Sequence, residues 1–408
     1  MPDRPDRSGR PMTDIRIERS EATPERPTFL ELLFDLVYVF ALTRISQRLI
    51  RDLTTEGQMP FAEGVETLLL FLALWITWAS TTWATSRLDP DVPVVRVVLL
   101  ITMVGSMVMA VAVPHGFGER AMVFAGAHVA VQVARTAYYG IATRRVPQGR
   151  FAIRSLVWSV PSGALWIAGA LVPSGPPRGW LWAGALLLEY IGWAWGSPVP
   201  RLGRDRLGTQ PIAGGHLAER YQQFLLIALG EVIFTIGVAF SGSPFDIPQA
   251  AGFALGLAGT VLFWQIYFFR AGQLLSEAIG SARRPPQIGF AVAFTHLPMI
   301  AGIVVAGVGY ELIVTEPLGE LEPAWLLAIL GGPALFLIGR APLEFQVFGR
   351  VSRSRLAGLV ALGALTPALL HVPPLAAGAV ATGVLLGVAA SDLRRARGRE
   401  PEPAAPPP

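Results

Sequence analysis

Twelve stretches of this chain are each apolar over close to the ~20 residues that a helix needs to cross a bilayer. They run over 29–50, 65–86, 94–113, 121–143, 152–172, 179–196, 220–240, 249–270, 288–313, 324–340, 355–371 and 374–392. A span in lipid must satisfy its own backbone hydrogen bonds, so each stretch is expected as an α-helix. Composition agrees. Of 408 residues, 52% are hydrophobic and 15% charged, against about 25% charged in soluble domains. Too few polar groups remain to cover a water-facing surface. The fold class expected is all-α, a polytopic transmembrane helical bundle of about 12 helices. The last two stretches are the shortest, with Pro373 and Pro374 between them.

The missing residue types narrow the chemistry. There is no Cys, and all 33 basic residues are Arg. Disulfides, thiolate nucleophiles, Cys-ligated zinc, Schiff bases and a Walker-type lysine are excluded. The five His lack metal-ligand spacing, and no HExxH, GxSxG or strand-borne GxGxxG occurs. No cofactor and no metal is expected, and the reading leans away from an enzyme. The basic balance is attributed to loops rather than to nucleic acid. With the N-terminus placed in the cytoplasm, 25 Arg fall on inner loops and tails and four (Arg48, Arg51, Arg120, Arg178) on outer ones. That bias predicts both termini inside.

The two halves share a pattern. FLELLFDLVYVFA of the first span, with Asp35, is matched by FLLIALGEVIFTIG of the seventh, with Glu231, 196 residues later. WITWASTTW before Arg87 is matched by FWQIYFF before Arg270, and Arg135 by Arg340. Offsets of 183 to 205 residues suggest two parallel six-helix repeats. The expected organisation is a disordered tail over 1–27, repeats over 28–196 and 219–395, a linker over 197–218, and a disordered tail over 396–408.

Ionisable groups inside spans cost about 2.5–3.5 kcal/mol each at the centre and so require partners or water. Glu31 and Asp35 stand at i and i+4, on one helix face. They are candidates for coupling-ion binding, or for an ion pair that fixes packing. Glu231 lies midway along the seventh span. Arg220, 11 residues earlier, falls about 20° off its face and ~16 Å away, able to line the same cavity. His128, Gln132 and Arg135 form one stripe at i, i+4 and i+7. The stripe suits an anionic group, or a pairing with Asp35 or Glu189. Glu189 has no positive neighbour on its own span. His296 precedes Pro298 and is a candidate solute contact, or a partner for a carbonyl freed by the proline. Arg340 and Glu344, at i and i+4, read as a plain salt bridge. The Trp residues read mostly as an interfacial belt and as packing.

FLELLFDLVYVFALTRIS resembles the opening helix of the bacterial low temperature requirement A (LtrA) family. So do the Trp-rich end of the second span with Arg87-Leu88-Asp89, the HLAER…LGE entrance to the seventh, and THLPMIAGIVVAGVGYE of the ninth. The likeness extends over about residues 27–392. Here Val232 follows Glu231 where the family often has Ser, and Tyr221, Gln222 and Gln223 follow Glu-Arg. The resemblance implies a multi-pass protein of the bacterial inner membrane and supplies no substrate. The function expected is a proton- or cation-coupled secondary transporter of an unidentified solute, with membrane lipids as surroundings. Asp35 and Glu231 would couple; His128 and Arg135 would meet an anionic part of the solute. The alternatives are a membrane-embedded enzyme or lipid-handling protein, an ion channel, and a sensor or scaffold.

Overall fold

A computed structural model of the chain describes residues 26–54, 60–143, 149–204, 212–398 and 402–407. The N-terminal tail to residue 25, with Arg144, Arg145 and Arg206, lies outside the described residues. Twelve long helices carry the fold. The first six are α1 (Phe29–Thr54), α2 (Pro60–Thr85), α3 (Pro93–Ala112), α4 (Ala121–Thr143), α5 (Gly149–Leu171) and α6 (Pro176–Trp195). Then come α7 (Gly214–Gly242), α8 (Ile247–Tyr267), the short α9 (Leu275–Ser281), α10 (Pro285–Thr315), α11 (Pro323–Phe348), α12 (Arg353–Leu369) and α13 (Pro374–Ala396). Among the described residues the only strand-like pairing is an isolated bridge between Val199 and Gly203.

The helix ends follow local chemistry. Proline opens α3, α6, α8, α10, α11 and α13 within the first two positions, where its missing N–H costs nothing. Gly196 and Gly349 close α6 and α11 with φ of 71° and 64°, a left-handed turn that only glycine makes without strain.

Among the described residues, seven helices or helix runs are long and apolar enough to cross a membrane on length and composition alone. The others of the twelve, α1, α4, α5, α6 and α12, carry more charge or polarity, or are shorter. α1 holds Glu31, Asp35, Arg44, Arg48, Arg51 and Asp52, and α12 has 17 residues. Burial is inverted relative to a water-soluble bundle. Val104, Leu187, Phe234 and Val261 face outward, while Glu31, Arg220, Glu231 and Arg340 are sealed inside. Lipid accepts the first group, and the second group must find protein partners.

Within the first six helices, α1 packs on α2 and α3, then α3 on α4, α4 on α5 and α5 on α6, with α2 closing onto α6. Within the rest, α7 packs on α8 and α10, then α10 on α11, α11 on α12 and α12 on α13, with α8 closing onto α13. The two sets meet mainly through α1, which lies against α7 and α10.

Three sequence expectations need correction. The eighth span is not a continuous helix to residue 270. Its α-helix stops at Tyr267, and Phe269 (ψ 107°) and Arg270 (φ 59°) break the run before α9 begins. The cause lies in α11: Arg340 Nε donates to Ile266 O (3.0 Å) and Nη2 to Phe269 O (3.4 Å), holding the carbonyls that the break exposes. The seventh span starts at Gly214, not 220, so Arg220 is a helix-interior residue rather than a loop arginine. Finally, part of the expected disordered C-terminal tail is docked. Ala405 N–H donates to Val347 O (2.8 Å), and Glu402 pairs with Arg350 at the end of α11.

Candidate functional site

Three helices present polar residues at intervals of four and converge. α1 contributes Glu31 and Asp35, α2 and the turn after it contribute Trp78, Thr82 and Ser86, and α7 contributes His216 and Arg220. Such spacing lines side chains along one helix face. Arg220 Nη1 lies 3.0 Å from Glu31 Oε1, and Nη2 lies 2.6 Å from Asp35 Oδ1. His216 Nε2 is 2.9 Å from Glu31 Oε1, and its Nδ1 is 3.0 Å from Ser86 Oγ. Trp78 Nε1 donates to Asp35 Oδ1 at 2.8 Å, and Thr28 N–H to Glu31 Oε2 at 2.9 Å. Glu31, His216 and Arg220 are each 0% exposed. One guanidinium therefore bridges both acids of α1, and the bridge ties the first six helices to α7. The sequence reading missed His216 and the hydrogen bond from Trp78. The signal was present: an i, i+4 basic pair on the seventh span matches an i, i+4 acidic pair on the first.

Arg220 and Glu231 meet different partners. Glu231 lies about three turns further along α7, buried, and accepts a 2.9 Å hydrogen bond from Thr235 Oγ1. Its other surroundings include Ser46 of α1 and Glu311 of α10. No basic side chain pairs with it among the described residues.

The stripe on α4 splits by partner. His128 Nε2 sits 3.0 Å from Glu189 Oε1 on α6. The same carboxylate accepts from Ser162 Oγ (2.5 Å) and Trp166 Nε1 (2.9 Å) of α5. Glu189 thus finds its partner on another helix, and Asp35 is not that partner's target. Gln132 and Arg135 line a partly open cavity of about 190 Å³ between α2, α3, α4, α5 and α6. Arg135 Nη1 donates to Ser80 Oγ (2.8 Å) and Thr81 Oγ1 (3.0 Å), and Nη2 to Gln132 Oε1 (2.5 Å). All three acceptors are neutral. A guanidinium carries five N–H groups, so two, on Nε and Nη2, remain without an acceptor among the described residues. Glu189 also lines this cavity, together with Trp83, Trp158 and Trp193.

His296 is a core residue. Its Nδ1 lies 2.8 Å from Val292 O and its Nε2 2.8 Å from Tyr267 Oη. The carbonyl requires Nδ1 to carry the proton, so in the neutral ring Nε2 accepts from the tyrosine. The carbonyl it serves is that of Val292 rather than the one directly freed by Pro298. Arg340 and Glu344 are more than a plain pair. They stand 4.0 Å apart, while Glu344 lies 3.4 Å from Arg355, which reaches Asp392 at 2.7 Å. This network binds α11, α12 and α13 together.

Of the nine candidates named from sequence, the structure gathers Gln132, Arg135 and Glu189 at the cavity, with His128 behind Glu189. It gathers Glu31, Asp35 and Arg220 in the bridge. Glu231 and His296 stand apart from both.

An apolar exterior around long helices, with charges sealed or lining an internal cavity, defines a polytopic helical membrane protein. The chain belongs to the bacterial low temperature requirement A protein (LtrA) family, whose model matches residues 26–390. It is 35% identical over 337 residues, 80% of this chain and 78% of the relative, to an uncharacterized protein of Rhizobium meliloti (strain 1021). No solved structure matches it.

Proposed function

We propose that the protein is a secondary carrier of the bacterial inner membrane, with both termini cytoplasmic, that moves an anionic solute coupled to protons or another small cation. The observation that carries this reading is Arg135. The buried guanidiniums of Arg220 and Arg355 meet carboxylates, and that of Arg340 holds backbone carbonyls. Arg135 instead donates hydrogen bonds only to neutral groups, in the wall of a cavity that Glu189 shares. A cation kept in a membrane bundle at a cost of several kcal/mol, with spare donors facing empty space, suits transient pairing with an anion.

Glu231 supplies the coupling group. It is the deep acid without a basic partner, whereas Asp35 is occupied by Arg220 and Trp78. A carboxyl in that setting exchanges a proton or small cation at low electrostatic cost. The recurrence of helix pairings, α1–α2, α1–α3, α3–α4 and α2–α6 against α7–α8, α7–α10, α10–α11 and α8–α13, supports two six-helix repeats. In such carriers one repeat rocks against the other.

The test uses reconstituted proteoliposomes. A thermal-shift screen of anionic metabolites on the purified chain finds the solute, and uptake of that compound is then followed under an imposed pH or sodium gradient. Glu231→Gln is expected to shift Tm by only a few degrees and to abolish gradient-driven uptake. Uptake at the wild-type rate would remove Glu231 from the mechanism.

A further inference from the structure

We propose that the Arg135 cavity takes a small organic monoanion with a flat apolar body, a ligand the size of benzoate. The assignment deepens the carrier reading and rests on it for turnover, though binding can be tested alone.

Charge sets the first limit. Two N–H groups of Arg135 are available, enough for one carboxylate held side-on. The neighbouring Ser80, Thr81 and Gln132 are neutral, and Glu189 and Arg87 stand in the same wall, one charge of each sign. The Glu189 carboxylate is hydrogen-bonded by His128, Ser162 and Trp166. With Arg87 and Glu189 offsetting each other, Arg135 leaves one positive charge to be met, which a monoanion balances and a phosphate dianion or a dicarboxylate exceeds.

Surface chemistry sets the second limit. Away from Arg135 the wall is mostly apolar, with Trp83, Trp158 and Trp193, and of its hydroxyls those of Thr85, Ser159 and Ser197 donate to backbone carbonyls. A polyhydroxylated solute would leave most of its hydroxyls against indole and aliphatic carbon, a costly burial. Hydrocarbon placed there is favourable at roughly 25 cal/mol per Å² removed from water.

Shape and size set the third. The indole of Trp158 is pinned through Nε1 to Pro198 O at 2.9 Å. The Trp193 ring is braced by Phe290 and Phe294, with centroids 4.7 and 5.7 Å away, and Trp83 leans on Phe290 at 6.1 Å. Fixed flat walls of this kind favour a planar partner. The volume of about 190 Å³ modestly exceeds the ~150 Å³ apolar cavity that accepts benzene. The surplus accommodates one carboxylate.

The test is calorimetric titration of the full-length purified chain with sodium benzoate, with benzamide as its neutral isostere, and with sodium formate and inorganic phosphate. Benzoate is expected to bind most tightly, with benzamide and formate each weaker by about tenfold or more, the usual worth of a charge-assisted pair or of a buried ring. Arg135→Gln should reduce benzoate affinity to that of benzamide. Ser159→Phe, which would fill the cavity from its lining, should abolish binding of both. Wild-type-like Tm values for the two variants are the control for folding. Phosphate binding as tightly as benzoate, benzamide matching benzoate, or no benzoate binding to a cooperatively melting wild type would each overturn the assignment. The carrier reading fails separately. Benzoate binding that depends on Arg135, with no counterflow of labelled benzoate, leaves the ligand class standing and removes transport. Counterflow of another solute that benzoate does not inhibit overturns the ligand class and leaves transport.

Discussion

Arg220→Gln is expected to destabilise the folded bundle by about 3–5 kcal/mol, the cost of removing one member of a buried ion pair. The reason lies in what remains. Glu31 and Asp35 are 0% and 1% exposed, one helical turn apart, and Arg220 is the guanidinium that meets both. Without it two carboxylates face each other in a site closed to water. Of the two acids, His216 reaches Glu31 and Trp78 reaches Asp35. The expected readout is unfolding in mixed micelles titrated with sodium dodecyl sulfate, followed by circular dichroism. Adding Glu31→Gln and Asp35→Asn to the Arg220 variant should restore more than half of the loss, because the neutral amides need hydrogen bonds but no counter-charge. Double-mutant cycles should give a coupling of about 0.5–3 kcal/mol between Arg220 and each acid. A loss below about 1 kcal/mol for Arg220→Gln would show that water reaches the cluster and that the bridge is not a stabilising device.

The second large effect is expected at the α10–α11 contact. A Cβ added to Gly302 would fall 2.5 Å from Phe336 N and 2.6 Å from Gly332 O. One added to Gly332 would fall 2.5 Å from Ala306 N, and one on Gly339 the same distance from Thr295 O. The obstacles are backbone atoms, which cannot rotate away as a side chain can. The two helices touch along their main chains, as small residues allow in membranes, where packing replaces the hydrophobic drive for helix association. Gly332→Val should therefore cost at least ~3 kcal/mol, the upper range for overpacking, and lower the yield of folded protein. Gly331 is the internal control. Its Cβ would meet nothing within 4 Å, so Gly331→Val should change stability by less than about 1 kcal/mol. Equal behaviour of the two neighbours in the same unfolding assay would refute this account of the interface.

Much of the architecture was legible in the chain. Twelve apolar stretches became twelve long helices, with ends within a few residues of expectation in most cases. The misses have local causes. The start of α7 was placed late because GGHLAER looks polar, and its polar residues are in fact the ones that enter the bridge. The break after Tyr267 left no proline in the sequence to announce it; it is held by Arg340 from another helix. The docking of Ala405 on Val347 was hidden in a Pro-Ala composition that reads as disorder. For the sites, face-sharing was legible and partnership was not. Glu31 and Asp35 were recognised as one face, and His128, Gln132 and Arg135 as one stripe. That Arg220 would answer the first and Glu189 only part of the second depended on which helices touch.

The division has a physical reason. Lipid forces each crossing segment to satisfy its backbone within itself, so helix number, approximate position and the stripes on each helix are local properties, readable over about 20 residues of sequence. Charge pairing is not local. Arg220 and Asp35 are 185 residues apart in sequence and 2.6 Å apart in space. Only the packing of α1 against α7 decides that Asp35 is neutralised while Glu231, its counterpart in pattern, is left without a basic partner. The same holds for Arg135, a charge that could have been buried against an acid, and that the arrangement of α2 to α6 leaves facing a cavity.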